Sequence, residues 1–194
     1  PELIPDGYKF LLRREPVFQE DHGAVVIHGQ PLLRLSETRL KGAHNCENLL
    51  AALSLVEAFT GPELVMSPEL KAAVLEFAPG EHRIQVVAQH NNVTYIDDSK
   101  GTNPAAVLAA LEAVGGNRNV CLLLGGLDKG MDFTPLATAA GHIKTAMVLG
   151  QCRDKMYDVL HRAFPCVRCD SFAEAVQKSC EAATAGDVVM LSPA

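Results

Sequence analysis

Three short polar segments carry the residue types from which chemistry can be built. Tyr95-Ile96-Asp97-Asp98-Ser99-Lys100-Gly101-Thr102-Asn103-Pro104 reads as a strand that stops abruptly, displays carboxylates, hydroxyls and an ammonium, and then enters a helix. Lys41-Gly42-Ala43-His44-Asn45-Cys46-Glu47-Asn48 lies upstream, and Gly125-Gly126-Leu127-Asp128-Lys129-Gly130-Met131-Asp132-Phe133 downstream. Polar groups packed this densely between apolar elements point to an enzyme that handles phosphates and a carboxylate.

A purely structural account covers part of each segment. A capped helix start explains Asn103 and Pro104, since Asn103 or Thr102 can cap and Pro104 suits the first turn. It does not explain Asp98 and Lys100 at the strand exit. A helix N-terminus favours anions, so a lysine there is poorly placed unless an anion shares the site. In Gly125-Gly126-Leu127-Asp128-Lys129-Gly130 the paired glycines let backbone approach a ligand, and Lys129 offers a point charge for carboxylate or phosphate. This is neither a Walker A loop nor a GxGxxG dinucleotide turn. Asn45 and Asn48 are three apart and share a face in a helix's first turn. Their amides offer donor and acceptor and can read a nucleobase edge; the structural alternative is a capping Asn45 and a surface Asn48. Arg83, after Glu81-His82, stands at a domain junction and can reach a phosphate. His22, His28, His90, His142 and His161 have no metal-ligand spacing and read as structural or surface residues.

The composition narrows the class. The chain has 194 residues, a net charge of −6 and 48% apolar residues. That is one large domain or two small ones with enough apolar surface for a sizeable core. The acidic balance and the lack of Trp argue against a nucleic-acid partner. No apolar run approaches a membrane span and no signal peptide is seen. The six cysteines form no disulfide framework. Cys166 and Cys169 have CxxC spacing without a second pair, so reduced, mostly buried thiols in a cytoplasmic protein are expected rather than zinc. The start at Pro1-Glu2-Leu3 and the close on Ser192-Pro193-Ala194 read as cut ends of a longer protein.

The elements that must position these residues fall into two parts. In residues 1–78, strands are expected at Tyr8–Leu12 and Ala24–Ile27, with a turn at Asp21-His22-Gly23. A helix spans 44–60, ended by Gly61-Pro62, and a second runs from a Ser67 cap through Phe77. Ala78-Pro79-Gly80 breaks the pattern. In residues 79–194 strands and helices alternate: strands at 83–89 and 93–97 around an Asn91-Asn92 turn, then a helix at 104–114 and a strand at 120–124. Next come a helix at 136–143, a strand at 146–149, a helix at 152–163, a strand at 167–169, a helix at 172–183 and a strand at 188–191. That rhythm predicts an α/β fold: a Rossmann-like, mostly parallel sheet with helices on both faces. Ligands of such sheets bind beyond the strands' carboxyl ends, where Asp98, Lys129 and Ser192 are expected.

The motifs resemble a known family. GAHNCENLLAA, EHR, YIDDSKGTN, LLLGGLDKGMDF and the terminal LSPA occur in the order found in Mur ligases, the ATP-dependent amide-forming ligases of peptidoglycan synthesis. DDSKGTN is similar to the NDSKATN of the branch that adds D-glutamate, with Asp97 for Asn and Gly101 for Ala, and Glu81 stands where a Pro often precedes the HR pair. The resemblance implies that residues 1–78 close a central ATP-binding domain and residues 79–194 form most of the C-terminal domain. It places adenine at Asn48, ribose hydroxyls at Asp98, phosphates at Arg83, and Lys100 between nucleotide and reacting groups. Thr102, Lys129 and Ser192 would hold the D-glutamate carboxylates. The implied small-molecule partners are ATP, D-glutamate and UDP-N-acetylmuramoyl-L-alanine, joined through an acyl phosphate by a cytoplasmic monomer. Magnesium would be held mostly by residues outside the chain, as would the phosphate-binding loop and the sugar-binding domain, so the chain alone should be inactive. The alternatives are another Mur ligase, a folylpolyglutamate synthase-like ligase, or a nucleotide-binding module without catalysis.

Overall fold

The computed structural model describes residues 18–21, 24–40 and 43–194. The strand expected at Tyr8–Leu12 and the turn residues His22 and Gly23 lie outside these. Two compact units divide between Pro79 and Gly80.

The first unit holds a three-stranded antiparallel sheet, β1 (Phe18–Asp21), β2 (Ala24–Ile27) and β3 (Gln30–Arg34). His28 and Gly29 join β2 to β3 with φ of 51° and 76°, the positive pair that matches strand twist in a two-residue hairpin. Helix α1 (Ala43–Thr60) follows, and its Leu49 and Leu53 share one apolar core with Val25, Ile27 and Leu33. Gly61, at φ 87°, ends α1 and leads into the single turn α2 (Pro62–Val65). Helix α3 (Pro68–Glu76) starts where the Ser67 hydroxyl accepts from the Leu70 amide at 3.2 Å.

The second unit is a six-stranded sheet in the order β4-β5-β9-β6-β7-β8. Its strands are β4 (Gln85–His90), β5 (Val93–Asp97), β6 (Val120–Gly126), β7 (Ile143–Gly150), β8 (Cys166–Arg168) and β9 (Val188–Leu191). Only β4 runs antiparallel, joined to β5 by Asn91-Asn92 at φ 50° and 59°. The helices are α4 (Pro104–Val114), α5 (Arg153–Leu160) and α6 (Phe172–Ala182). Alternation along the buried strands divides the core. Leu122, Leu124, Ala146, Val148 and Met190 pack with Val107 and Leu111 of α4 and Met156 and Leu160 of α5. Cys121, Leu123, Met147 and Val189 turn to the other face and meet Ala175 of α6. The chain therefore crosses one face from β5 through β8, then returns over the other to insert β9 between β5 and β6.

Two expected elements come out differently. The strand read from Arg83 begins only at Gln85, because His82 and Ile84 adopt φ of 65° and 46°, which no strand accommodates. The helix read at 136–143 is a 3₁₀ segment, Thr134–Gly141, and Ile143 already belongs to β7. Its buried residues Leu136 and Ala139 are three apart, which puts them on one line in a three-residue turn.

At the amino edge of the sheet, Lys144 Nζ donates to Asp187 Oδ2 at 2.5 Å and ties the start of β7 to the approach of β9. Burial alone would raise the Asp187 carboxyl, but hydrogen bonds from Lys144 and Thr184 hold it below its usual range. A depressed carboxylate adds stability that is present above its unfolded pKa, about 3.9, and lost as pH falls through the folded value. Lys144→Met should therefore lower the urea midpoint at pH 7, and the difference from the unsubstituted protein should shrink below about pH 4. A pH-independent difference would mean that the pair acts through packing alone.

Candidate functional site

Parallel pairing brings the carboxyl ends of β5, β9, β6 and β7 to one edge, with Asp97 level with Leu191 and Gly126 level with Gly150. The residues that leave this edge are the Asp98–Asn103 segment, Ser192, and the loop from Leu127 to Lys129.

Asp98 is the hub of the first group. It is buried at 6% exposure. Ser192 Oγ donates to its Oδ2 at 2.6 Å, and the Ile84 amide donates to its Oδ1 at 3.1 Å. Its own amide donates to the Leu191 carbonyl. Burial pushes the carboxyl above its usual range, while the Ser192 and Ile84 hydrogen bonds and the Arg83 charge pull the other way. Gly101 makes the contact with Ser192 possible: a Cβ there would stand 2.5 Å from Asp98 Oδ2 and closer still to Ser192 Oγ. Gly101 thus leaves room for a buried serine–aspartate hydrogen bond. Beyond Gly101, Asn103 caps α4 by accepting from the Ala106 amide at 2.9 Å. Thr102 is exposed.

His82 and Arg83 lie beside this loop. His82 Nδ1 meets Asp97 Oδ2 at 2.6 Å, and the His82 carbonyl accepts from the Lys100 amide at 3.2 Å. His82 has no role on sequence grounds alone; its partner lies fifteen residues away, across the β4–β5 hairpin. Arg83 and Lys100 are both exposed.

The glycine-rich loop is a close-packed crossing. Gly125 adopts φ 141° and its Cα faces the Leu149 backbone, while Gly150 at φ 76° lies against Gly126. The loop is then anchored by Asp128, which accepts from the Gly130 amide at 2.8 Å and from Lys155 Nζ at 3.2 Å. The Gln151 side chain accepts from the Asp128 amide. Lys129 is exposed at its tip.

The cations of this unit divide into two sets. Lys144, Arg153, Lys155, Arg168 and Lys178 are each paired with a carboxylate. Among the described residues, the head groups of Arg83, Lys100, Arg118, Lys129 and Arg162 make no ion pair or hydrogen bond. Arg83, Lys100 and Lys129 follow or flank the carboxyl edge, whereas Arg118 precedes β6 and Arg162 lies between α5 and β8.

In the first unit, Asn45 and Asn48 lie in the first turns of α1; Asn45 is half-buried and Asn48 exposed. Asn45 sits inside the helix, which starts at Ala43, and so is not its cap. Among the described residues no group of three or more His, Cys, Asp or Glu side chains could hold a metal ion. Also among them, no helix is long and apolar enough to cross a membrane.

A mostly parallel sheet with helices on both faces defines a Rossmann-like α/β domain. The chain belongs to the Mur ligase family: residues 82–194 match the domain described as Mur ligase, glutamate ligase domain. It is 37% identical over 180 residues to the UDP-N-acetylmuramoylalanine–D-glutamate ligase of Saccharophagus degradans, covering 92% of this chain and 39% of that protein. The same-named enzyme of Pseudomonas syringae pv. tomato is 37% identical over 193 residues, covering 98% of this chain and 41% of that protein. The chain thus spans well under half the length of these curated relatives. Among solved structures, Mycobacterium tuberculosis folylpolyglutamate synthase complexed with ADP matches at TM-score 0.68 and 18% identity, covering 90% of this chain and 43% of that one. At that identity the likeness speaks to fold alone.

Proposed function

We propose that the chain is part of an ATP-dependent, cytoplasmic UDP-N-acetylmuramoylalanine–D-glutamate ligase. In this reading residues 1–78 close its central ATP-binding domain and residues 79–194 form most of its C-terminal domain. The observation that carries the reading is that the carboxyl edge gathers three cations without a carboxylate partner, Arg83, Lys100 and Lys129, around the buried Asp98–Ser192 pair. An unpaired, pre-positioned cation is worth most where negative charge develops. In the proposed reaction charge builds twice, when a carboxylate takes the γ-phosphoryl group of ATP and when the amine of D-glutamate displaces phosphate from the acyl phosphate.

Arg83 and Lys100 would face the phosphates in this scheme, with Lys100 nearest the transferring group. Asn45 and Asn48 would read the adenine edge. Thr102, Lys129 and Ser192 would take the carboxylates of D-glutamate, and Asp98 the ribose. The buried Asp98 already accepts from Ser192, so Asp98 would take a ribose hydroxyl on its remaining lone pairs, while Ser192 would have to turn its hydroxyl from Asp98 to donate to a carboxylate. Magnesium would be supplied by residues outside this chain, and the chain alone would be inactive.

Phosphate release by the longer protein tests this reading. The assay holds ATP, magnesium and UDP-N-acetylmuramoyl-L-alanine and varies the amino acid. Release that requires D-glutamate is expected. Release that requires a different amino acid would move the chain to a sibling ligase, and none at all would leave a nucleotide-binding module.

A further inference from the structure

The backbone around Arg83 is held in a conformation it would not choose alone. His82 and Ile84, on either side of it, adopt φ of 65° and 46°. The left-handed region is costly for a β-branched isoleucine and persists only when the surroundings impose it. Three contacts from the loop that carries Lys100 impose it here, besides a local one in which the His82 amide donates to Gln85 Oε1 at 3.0 Å. The His82 ring meets Asp97 Oδ2 at 2.6 Å, the His82 carbonyl accepts from the Lys100 amide at 3.2 Å, and the Ile84 amide donates to Asp98 at 3.1 Å. The other Asp97 oxygen accepts from the Ser99 amide at 2.9 Å, so the carboxylate that grips His82 also shapes the start of the Lys100 loop.

We propose that Asp97, acting through His82, is a positioning residue that latches the Arg83 segment to the Lys100 loop and so presents two cations together to a polyphosphate. The second half rests on the functional reading above; the latch itself does not. The two neighbouring aspartates divide the work. Asp98 is buried and holds Ser192 and Ile84. Asp97 is at the edge, with its side chain 22% exposed, and holds a histidine whose side chain is 51% exposed.

The latch is sensitive to protons. The His82 hydrogen bond, opposed by partial burial, holds the Asp97 carboxyl below its usual range. The charged neighbours of the pair are Asp98, which feels the Asp97 charge, and Arg83, which feels Asp98 in turn; Glu81 and Lys100 are the other charged residues of the two segments. A carboxylate depressed in this way adds its hold above its unfolded pKa and loses it as pH falls through the folded value.

Amide hydrogen exchange and a double-mutant cycle on the 194-residue chain test the proposal. In Asp97→Ala the Lys100 and Ile84 amides should exchange about tenfold faster than in the unsubstituted chain, the loss expected for one charge-assisted hydrogen bond. His82→Asn should do the same from the other side, and Asp97→Asn should restore part of the protection. Affinity for inorganic triphosphate should fall several-fold in Asp97→Ala but change little when the same substitution is made on an Arg83→Ala background. A merely structural role would weaken both backgrounds equally. Unchanged exchange in Asp97→Ala and His82→Asn, or equal losses of affinity with and without Arg83, would overturn the proposal. Faster exchange in a chain that does not bind triphosphate would uphold the latch and count against the polyphosphate reading of the site.

Discussion

Lys100→Ala in the longer ligase should cut turnover at least about 100-fold, the loss typical of removing one pre-positioned group from a developing charge. The structural reasons are that Lys100 is exposed, its head group has no protein partner among the described residues, and it follows directly on the loop fixed by Asp97 and Asp98. Deleting its side chain breaks no ion pair and opens no cavity. The unfolding midpoint should therefore stay within the range of ordinary surface substitutions, about 0.5 kcal/mol. Lys100→Arg should recover activity only in part, because a planar guanidinium fork does not reproduce a compact ammonium. Phosphate release under saturating substrates measures the effect. Turnover close to the unsubstituted enzyme would remove Lys100 from the reaction.

Gly125→Ala should have the largest effect on stability. A Cβ at this position would lie 2.8 Å from the Leu149 carbonyl carbon and nearer still to its oxygen. Those are backbone atoms of the paired strand, in register with Gly125, and they cannot swing aside as a flexible side chain would. The φ of 141° adds conformational strain. The expected loss is about 3 kcal/mol or more, a large share of the roughly 5–15 kcal/mol that holds a domain folded. Gly130→Ala is the control. Gly130 also has a positive φ, 74°, but nothing within 4 Å of its Cβ position, so the loss should be only the left-handed penalty of about 1–2 kcal/mol. Urea unfolding of both variants decides it. Equal and mild losses would show that β6 and β7 do not approach so closely at this point.

Local sequence fixed much of this architecture because its signals are local. Ser67 and Asn103 were legible as caps because a short polar side chain before a helix has one backbone amide within reach. Asn91-Asn92 declared a hairpin because both residues tolerate positive φ. The apolar run at Val120–Leu124 announced a strand buried on both faces. From that alternation followed the parallel sheet, its carboxyl edge and the exit of Asp98, Lys129 and Ser192 on that edge. The 3₁₀ segment at Thr134–Gly141 was not legible, since its alanines and leucine suit an α-helix equally and the choice of turn is a tertiary matter.

What only the tertiary structure decided is who holds whom. The sequence offered Asp97, Asp98, His82 and Ser192 as separate polar residues. The insertion of β9 between β5 and β6 carries Ser192 to Asp98, ninety-four positions away, and the β4–β5 hairpin carries His82 to Asp97. Those pairings turn a carboxylate that looked free to meet a ligand into a buried clamp. They also turn a histidine without assigned role into the grip on the Arg83 segment. Composition, caps and periodicity report how each stretch of chain satisfies its own backbone and buries its own apolar face. Hydrogen bonds between distant strand ends depend on sheet order and register, which no local pattern encodes.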